Sequence, residues 1–281
     1  MVTYNTDISE VLHCMYCLAG NGVLDIWMVD NSPKENDIHA TVAAIPMLGK
    51  VRLRYIHLPH NPGYGAAHNC AIREALAEGS EAHLIVNTDI TFEPGTIDRL
   101  AALLASDSRI GQISPRIISP DGTQQFAQRL LPTPFDVFGR RFLPKFIMAG
   151  RNRRYMLTQR DDTTTANIPY HQGSFMLFRA QALKDTGGFD ERFFMYPEDI
   201  DITRRIHSKY LTIYYPDVSV VHNHRASSYR SMKMLWVHCR NMIKYFNKWG
   251  WWCDGERRRV NRATLQSMGL DCKGRSSKVT Q

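Results

Sequence analysis

The sequence predicts an α/β protein with a mostly parallel central sheet flanked by helices. In the first 110 residues, short apolar runs at 2–4, 26–29, 51–58 and 84–86 alternate with helical patterns at 8–20, 66–78 and 96–105. Strands that alternate with helices at this spacing form βαβ units, whose strands run parallel. A chain of 281 residues with 43% hydrophobic and 22% charged residues suits a packed domain, and this composition excludes a disordered or fibrous protein.

Turn-forming residues separate these elements. Asn5-Thr6-Asp7 precedes the first helix, Asp30-Asn31-Ser32-Pro33 follows the second strand, and Pro94-Gly95 precedes the helix at 96–105. Asn, Asp and Ser side chains bond to nearby backbone groups, so they favour turns and helix caps over element interiors. The boundaries of the first half are therefore predicted independently of its apolar pattern.

The pattern changes after residue 110. Residues 130–165 are rich in proline and arginine and predict a long mobile insert. A helix at 199–208 and a strand region across 212–215 and 218–221 follow. The clearest amphipathic helix covers 232–249 and has basic residues largely away from its apolar face. That face consists of Met232, Leu235, Trp236, Cys239, Ile243, Phe246 and Trp249.

Basic charge is concentrated at the C-terminal end of the chain. Residues 1–222 contain 22 Lys or Arg and 24 Asp or Glu, whereas residues 223–281 contain 13 and 3. Such an excess favours an anionic lipid or nucleic-acid partner, and a solvated basic tail explains it equally well.

The cysteines do not predict a metal site of their own, and the hydropathy does not predict a membrane-spanning segment. Cys14 and Cys17 form the only CxxC pair among six cysteines, and the pair falls inside the first predicted helix, so we expect reduced structural thiols. No segment approaches the roughly 20 apolar residues of a bilayer crossing, and the first residues lack a secretory signal. We therefore expect a soluble protein that faces the cytoplasm.

Polar residues and glycines follow the predicted strands, where α/β sheets bind ligands. Tyr4, Asp30 and residues 61–65 and 87–89 all stand at strand ends. Gly63 and Gly65 would let a ligand approach a helix N-terminus, although two glycines also suit a simple tight turn. A dinucleotide fingerprint would have a third glycine where His68 stands, so hydride transfer is disfavoured.

Three further groups could carry chemistry. Asp89 could hold Mg²⁺ or Mn²⁺ against a substrate diphosphate, or simply cap the next turn. Glu198, Asp199 and Asp201 open a helix beside aromatic residues, where they suit either helix capping or a general base. His222 and His224 end a late strand, and an imidazole there is either structural or a metal ligand.

In this order, the motifs resemble those of family 2 inverting glycosyltransferases of the GT-A fold, close to the bacterial rhamnosyltransferase-like group that builds cell-surface polysaccharides. The resemblance covers residues 1–230. It is carried by Val2-Thr3-Tyr4-Asn5, Val29-Asp30-Asn31-Ser32, Asn61-Pro62-Gly63-Tyr64-Gly65 with Asn69, Asn87-Thr88-Asp89, Gly173-Ser174-Phe175, the run from Gly188 to Asp201, and His222 followed by Ser227.

The resemblance implies a donor site and a catalytic site. It places Thr3, Tyr4 and Asp30 around the base and ribose of a nucleotide sugar. The nucleotide floor and the donor sugar would be contacted by Asn61, Gly65, Asn69, Thr88, Gly173 and Ser174. Asp89 would bind Mg²⁺ or Mn²⁺, with Asn87 replacing the first carboxylate of the family's DxD motif. His222, or His224 in its place, would complete the metal or diphosphate site. Asp199 would be the catalytic base and Glu198 would support it.

The resemblance also implies domains and partners. Residues 1–230 would form the catalytic domain, with 1–110 as its nucleotide-sugar-binding half and 111–230 as its acceptor and catalytic half. Residues 231–281 would form a basic, amphipathic helical extension. The donor would be a dTDP- or UDP-sugar, with rhamnose favoured over galactose or glucose. The acceptor would be a saccharide, an undecaprenyl-linked one among the alternatives.

The C-terminal extension has two interpretations. Trp251, Trp252 and the basic run 257–259 suit contact between residues 232–262 and the anionic inner face of the plasma membrane. The same helix would otherwise pack its apolar face on the catalytic domain.

Two other functions stay open at this point. A nucleotidyltransferase would also bind nucleotide and Mg²⁺ at strand ends, but the first strand lacks the Gly-rich basic segment of that class. A basic nucleic-acid-binding protein ranks lower, because no helix-turn-helix, finger or RNP motif is present, and we expect no nucleic-acid partner.

Overall fold

A computed structural model describes residues 1–23, 25–34, 38–43, 45, 51–223 and 232–270. His224 and Ser227 of the motifs above lie outside these residues. The strands are β1 (Val2–Thr3), β2 (Asp25–Asp30), β3 (Arg52–His57), β4 (Ala82–Val86), β5 (Ile90–Thr91), β6 (Ile110–Ile118), β7 (Gln128–Arg129), β8 (Ala166–Asn167), β9 (Tyr170–His171), β10 (Phe175–Arg179) and β11 (Leu211–His222). The helices are α1 (Ile8–Gly20), α2 (Ile38–Ala43), α3 (Tyr64–Ala77), α4 (Thr96–Ser106), α5 (Arg140–Phe142), α6 (Lys145–Tyr155), α7 (Ala180–Thr186), α8 (Glu198–His207), α9 (Met232–Trp249) and α10 (Gly255–Ser267).

The α/β architecture predicted from the sequence is confirmed. Strands β1, β2 and β3 form a parallel sheet in that order. A second sheet runs β4-β10-β6-β11-β5, with β8 added on β11. Only β6 and β11 pair in parallel there, and the other pairs are antiparallel. The first sheet is thus parallel and the second is mixed.

One apolar core joins the two sheets. Met28 of β2, Val86 of β4 and Phe175 of β10 belong to the same buried cluster, which Met15 of α1 completes from the side. Cys14, the residue before Met15, is a fully buried thiol whose pKa burial raises to about 12. Within the described residues Cys14 and Cys17 are free, as predicted for structural thiols.

The prediction of a mobile insert over residues 130–165 is wrong. The segment contains a π-helical turn at Phe135–Gly139, followed by α5 and α6. Tyr155 and Leu157 are buried in an apolar cluster with Tyr214 of β11. The prolines mark helix starts: Pro134 and Pro144 each stand directly before one, where a missing N–H costs nothing.

Helix α9 has the predicted bounds but buries a different face. Phe246 is buried as expected, and it is joined by Asn241, Met242 and Tyr245. Met232 and Trp236, predicted to share the apolar contact, are 80% and 61% exposed. The C-terminal half of α9 therefore packs on the protein, while the apolar side chains of its first turns face outward.

Helix α10 is fixed to the segment that follows β7. The carboxamide of Asn261 accepts the Leu131 N–H at 2.8 Å and donates to the Leu131 carbonyl at 2.9 Å, as a paired strand would. None of the helices in the described ranges is both long and apolar enough to cross a membrane.

Candidate active site

A buried hydrogen-bonded group around Asp30 joins the ends of β1 and β2. The carboxylate accepts bonds from Thr3 Oγ1 at 3.1 Å, from Tyr55 OH at 2.7 Å and from the N–H and hydroxyl of Ser32 at 3.0 and 2.6 Å. Burial alone would raise the pKa of Asp30, but these hydrogen bonds outweigh it and lower the pKa below the ordinary value. Asp30 is therefore an ionised, fixed carboxylate that shapes this strand end.

Tyr4 lies at the mouth of the same strand end, with 52% of its surface exposed. The next residue, Asn5, has a left-handed φ of 48° and donates its N–H to Ser32 Oγ at 2.8 Å, so the chain turns sharply after β1. An exposed aromatic ring in this position can stack on a planar base.

The loop before α3 packs closely against the loop before α8 and is hydrogen-bonded to it. Asn61 Oδ1 accepts hydrogen bonds from Gly63 N–H and from Asn31 Nδ2, each at 3.2 Å. Gly63 has a φ of 106°, and a Cβ there would lie 2.5 Å from the Phe194 carbonyl oxygen, so only glycine fits. The Tyr64 N–H donates to that same carbonyl at 3.0 Å.

Gly65 and Asn69 hold the first turns of α3 against the segment 188–191. A Cβ on Gly65 would lie 3.0 Å from Phe189 Cβ. The Asn69 carboxamide accepts the Phe189 N–H and donates to the Phe189 carbonyl and to Glu191 Oε1, all at 2.9 Å. Both residues thus position a loop, and their predicted contact with the nucleotide floor stays a prediction.

Asp89 and His222 meet at the ends of β4 and β11. Asp89 Oδ2 lies 3.4 Å from His222 Nε2. The Gln125 amide donates to Ser119 Oγ and to the His222 carbonyl, so its oxygen, 2.9 Å from His222 Nδ1, is the acceptor. A neutral His222 therefore carries its proton on Nδ1 and directs the Nε2 lone pair toward a carboxylate.

These two residues fit a divalent cation. Asp89 Oδ1 is buried without a hydrogen-bond partner among the described residues, so one carboxylate oxygen is left to bind a ligand. Carboxylate oxygen and imidazole nitrogen are both ligands of Mn²⁺, and carboxylate suits Mg²⁺. The described residues contain no group of three His, Cys, Asp or Glu side chains placed to hold an ion. Diphosphate and water oxygens would therefore complete the coordination.

Thr88 and Asn87, which precede Asp89 in the chain, are hydrogen-bonded to residues elsewhere in the chain. The Thr88 hydroxyl donates to the Glu10 carboxylate of α1. The Asn87 N–H donates to the Ser174 carbonyl at 2.9 Å, and Asn87 Oδ1 lies 2.9 Å from Tyr64 OH. The side chain of Ser174 is itself buried, and its hydroxyl has no partner among the described residues, so it is free to bond a ligand hydroxyl.

Asp199 stands in the first turn of α8 with its carboxylate anchored at both oxygens. Oδ2 accepts the Gly173 N–H at 3.0 Å and lies 3.5 Å from Tyr170 OH, while Oδ1 accepts the Ile200 N–H at 2.7 Å. Burial is the largest influence and raises the pKa of Asp199, and the backbone hydrogen bonds oppose it only in part. The result is a carboxylate suited to take up a proton near neutral pH.

Glu198 is buried beside Asp199, and its Oε2 has no hydrogen-bond partner in the described part of the chain. Burial raises the pKa of Glu198, and the charge of Asp199 raises it further. Two adjacent buried carboxyl groups cannot both ionise easily. Backbone hydrogen bonds lower the pKa of both groups, but the positive charge of Arg129 favours the charged form of Asp199, so Asp199 is the member that ionises first, while Glu198 keeps its proton.

Tyr64 connects the two acidic groups. Its hydroxyl lies 2.9 Å from Asn87 Oδ1 and 2.8 Å from the Gly173 carbonyl. Burial raises the pKa of Tyr64 well above its usual range, and nearby acidic side chains, Asp199 and Asp89 among them, add to this effect. Asp89 and Asp199 thus both act on this one side chain, although 110 positions separate them in the chain.

Sequence reasoning missed a cation near the candidate base. Arg129 on β7 lies over the Tyr170 ring, 5.7 Å from its centroid. Burial opposes its charge, but Tyr170, Tyr155 and Asp199 together raise the pKa of Arg129. Neither Arg129 nor Gln125 belongs to a recognisable motif, whereas Tyr64 lies within the quoted Gly63-Tyr64-Gly65 motif and could have been singled out there.

Comparisons with known proteins identify the family. Residues 1–187 match the model of glycosyl transferase family 2. An N-acetylglucosaminyl-diphospho-decaprenol L-rhamnosyltransferase of Mycobacterium tuberculosis (strain H37Rv) is 28% identical over 220 residues, which cover 75% of this chain and 70% of that protein.

Solved structures are similar in fold at low sequence identity. A mannosyltransferase, PcManGT from Pyrobaculum calidifontis in complex with GDP-Man and Mn²⁺, superposes with a TM-score of 0.56 at 17% identity, covering 97% of this chain and 74% of that one. GalNAc-T7 with UDP, GalNAc and Mn²⁺ gives 0.62 at 13% identity, covering 98% and 51%. Together with the family match, which spans well over half of the sequence, they lead to one conclusion: the chain belongs to glycosyl transferase family 2 and is a glycosyltransferase with the GT-A fold.

Proposed function

We propose that this enzyme transfers a sugar, with inversion at the anomeric carbon, from a dTDP- or UDP-sugar to a lipid-linked saccharide acceptor in cell-surface polysaccharide synthesis. Rhamnose is the favoured sugar, since the curated relative is named a rhamnosyltransferase that uses a diphospho-decaprenol acceptor, and galactose and glucose are the alternatives. An undecaprenyl carrier would be the corresponding lipid here. The observation that carries the proposal is that Asp89, which is paired with His222, and Asp199 both act on the Tyr64 hydroxyl.

The base would act from a fixed position. Asp199 accepts two backbone N–H groups, which hold the carboxylate in one orientation. We propose that it removes the proton from the acceptor hydroxyl while that oxygen attacks the anomeric carbon. Glu198, kept protonated beside it, would limit the charge buried in the pocket.

The leaving diphosphate needs positive charge. Asp89 and His222 would hold a Mg²⁺ or Mn²⁺ ion, which supplies electrostatic stabilisation of the departing diphosphate when bound. Thr3, Tyr4 and Asp30 would line the nucleoside side of the same cleft, with Asn61, Gly65 and Asn69 beneath it. Gly173 and Ser174 would face the sugar.

We further propose which segment of the chain contacts each partner. Residues 1–110 would bind the nucleotide sugar, residues 111–230 would bind the acceptor and carry the base, and the basic extension from 231 would contact an anionic membrane. The exposed Met232, Trp236 and Trp252 support this contact. So does the absence of acidic residues from the sequence of α9.

The test separates binding from chemistry. We expect Asp199→Asn to lower transfer by about 10²–10⁴-fold, the usual contribution of a general base. Thermal shifts with UDP- and dTDP-sugars should stay as in the wild type, because Asp199 lies away from the nucleoside pocket. Transfer is measured as nucleoside diphosphate released from a donor panel.

Asp98→Asn, an exposed carboxylate on α4, is the matched control. Undiminished turnover by Asp199→Asn would remove Asp199 from the role of base. Release of pyrophosphate instead of nucleoside diphosphate would favour a nucleotidyltransferase.

A further inference from the structure

A second cavity lies away from the cleft, between α6 and α10. Its volume is about 290 Å³, at the low end of small-molecule pockets, which fits a diphosphate better than a whole nucleotide sugar. Five arginines and a single acidic residue line it, together with Leu130, Leu131, Thr133, Tyr155 and Asn261. The charged residues are Asp136, Arg151, Arg154, Arg257, Arg258 and Arg262.

Two of these five guanidinium groups form no hydrogen bond or ion pair within the part of the chain that the structure describes. Arg151 pairs with Asp136 at 2.6 Å, and Arg257 is buried and donates to the carbonyls of Pro132 and Trp251. Arg154 and Arg262 make neither a side-chain hydrogen bond nor an ion pair with any described residue. The single acidic residue is thus already neutralised, and an excess of positive charge remains at the wall of a cavity.

The cavity borders the strand that carries Arg129. Leu130 and Leu131 follow Arg129 directly, and the Leu130 N–H donates to the Tyr155 carbonyl at 3.0 Å. Arg129 in turn interacts with Asp199. One short segment therefore separates the cavity from the candidate base.

Exposed apolar side chains occur on the same helix, and Ile147 stands one turn before Arg151, which lines the cavity. Phe146 and Ile147, in the first turn of α6, are 81% and 54% exposed, and Phe142 of α5 is 63% exposed. An arginine-lined hollow next to exposed apolar residues matches a molecule that joins phosphate to hydrocarbon. A free sugar or a nucleotide has no such hydrocarbon part.

We propose that this cavity, the arginine cavity, binds the phosphate group of a lipid. A guanidinium group donates two parallel hydrogen bonds to phosphate oxygens, and four of the five arginines here are exposed and so accessible to a ligand. Two sources share this chemistry: the diphosphate of a lipid-linked acceptor, and the headgroup of an anionic phospholipid. The first source rests on the proposed function, and the second does not.

The primary experiment measures binding of inorganic pyrophosphate by calorimetry in EDTA. The variant is Arg154→Gln with Arg262→Gln, and the control is Arg153→Gln, an exposed arginine of α6 that does not line the cavity. Both variants should fold, since the replaced side chains have no partner within the described residues. We expect the double variant to bind pyrophosphate at least tenfold more weakly and the control to bind it like the wild type.

Two further experiments identify which molecule supplies the phosphate group. With a soluble alkyl-diphospho-sugar acceptor, at least a tenfold rise in acceptor KM with unchanged donor KM assigns the cavity to the acceptor diphosphate. Unchanged kinetics with weaker binding to phosphatidylglycerol vesicles assigns it to the headgroup. Equal pyrophosphate affinity in the double variant and the control overturns the proposal. The calorimetry does not depend on transfer, so failure of the proposed function would be seen separately.

Discussion

Glu198 and Asp199 are neighbours in one helix turn and carry the same kind of acidic group, yet they differ in how easily they ionise. Both carboxyl groups are buried and both have a raised pKa. Asp199 accepts hydrogen bonds from the backbone of Gly173 and Ile200, and the positive charge of Arg129 further favours its charged form. An acid and a base can therefore coexist in adjacent residues.

The raised pKa values make a prediction for stability. A carboxyl group whose pKa is higher in the folded than in the unfolded state stabilises the fold below about pH 4 and loses this contribution as the pH rises through the folded value. We expect Glu198→Gln, which cannot ionise, to be more stable than the wild type at pH 8, by about 1–2 kcal/mol, or roughly 2–4 °C in Tm for each kcal/mol. The difference should disappear near pH 4, as measured by thermal unfolding across that range.

The control is Glu81→Gln, an exposed carboxyl group at the start of β4. Its Tm should follow the wild type at every pH. A Glu198→Gln variant that is less stable than the wild type at pH 8 would mean that the Glu198 carboxylate is charged and paired in the folded protein.

The Asp89–His222 pair makes a prediction for metal removal. We expect complete chelation with EDTA to abolish transfer and added Mn²⁺ or Mg²⁺ to restore it, because an ion held by only Asp89 and His222 of the protein would be lost to a strong chelator. Asp89→Asn should need more added metal for half-maximal activity. Transfer that continues undiminished in EDTA would show that the metal assignment is wrong.

At the scale of elements, α8 is held by the C-terminal helices at successive turns. Asp201 is fully buried and bonds to Lys248 at 2.6 Å and to Trp249 Nε1 at 2.8 Å, both on α9. One turn later, Arg204 binds both oxygens of Asp254 at 2.8 Å and lies 3.9 Å from the centroid of the Trp249 ring. The helix that presents Asp199 is therefore fixed by residues far along the sequence.

The buried pair gives the strongest stability prediction. We expect Arg204→Met to destabilise the protein by about 3–5 kcal/mol, since it would leave Asp254 buried without its partner. The matched change Arg73→Met removes an exposed pair with Glu191 and should cost about 0–1 kcal/mol. Denaturant unfolding measures both. Equal effects of the two substitutions would contradict the assigned role of the buried network.

The helices also show what the sequence could and could not predict. The 3.6-residue pattern located α9 correctly, but it grouped Met232 with Phe246 because periodicity does not reveal where a neighbouring surface ends. Asp30, Asp89 and Asp199 were found because each stands at a strand end or a helix start. Arg129 and Gln125 were not, since strand pairing over long distances brings them to the site and no local pattern records it.

At the scale of the whole molecule, exposed apolar and basic groups coincide on α5, α6 and α9. Between Asp136 and Asp161 the sequence has no acidic residue, and neither has α9. The pKa of His238 on α9 is lowered by burial and by the charges of Arg141 and Arg140, so α5 lies close to α9. This surface is complementary to an anionic bilayer.

Vesicle flotation tests that orientation. We expect the protein to float with phosphatidylglycerol vesicles at low salt and to dissociate as salt screens the charges. Met232→Gln combined with Trp236→Gln should weaken flotation several-fold. Tyr16→Gln, an exposed aromatic of α1, should leave it unchanged. Equal binding to neutral vesicles would argue against the electrostatic contribution.

The contact between Gly63 and Phe194 has a consequence for engineering. The turn at 61–65, which we propose lies beneath the donor, and the turn ahead of α8, which carries the proposed base, leave no space for even one methyl group between them. Single substitutions introduced to change sugar preference in one turn would be transmitted to the other, so altered selectivity would come with altered turnover. A library meant to evolve this enzyme toward a new sugar should therefore vary residues 61–65 and 189–196 jointly, with Gly63 kept constant.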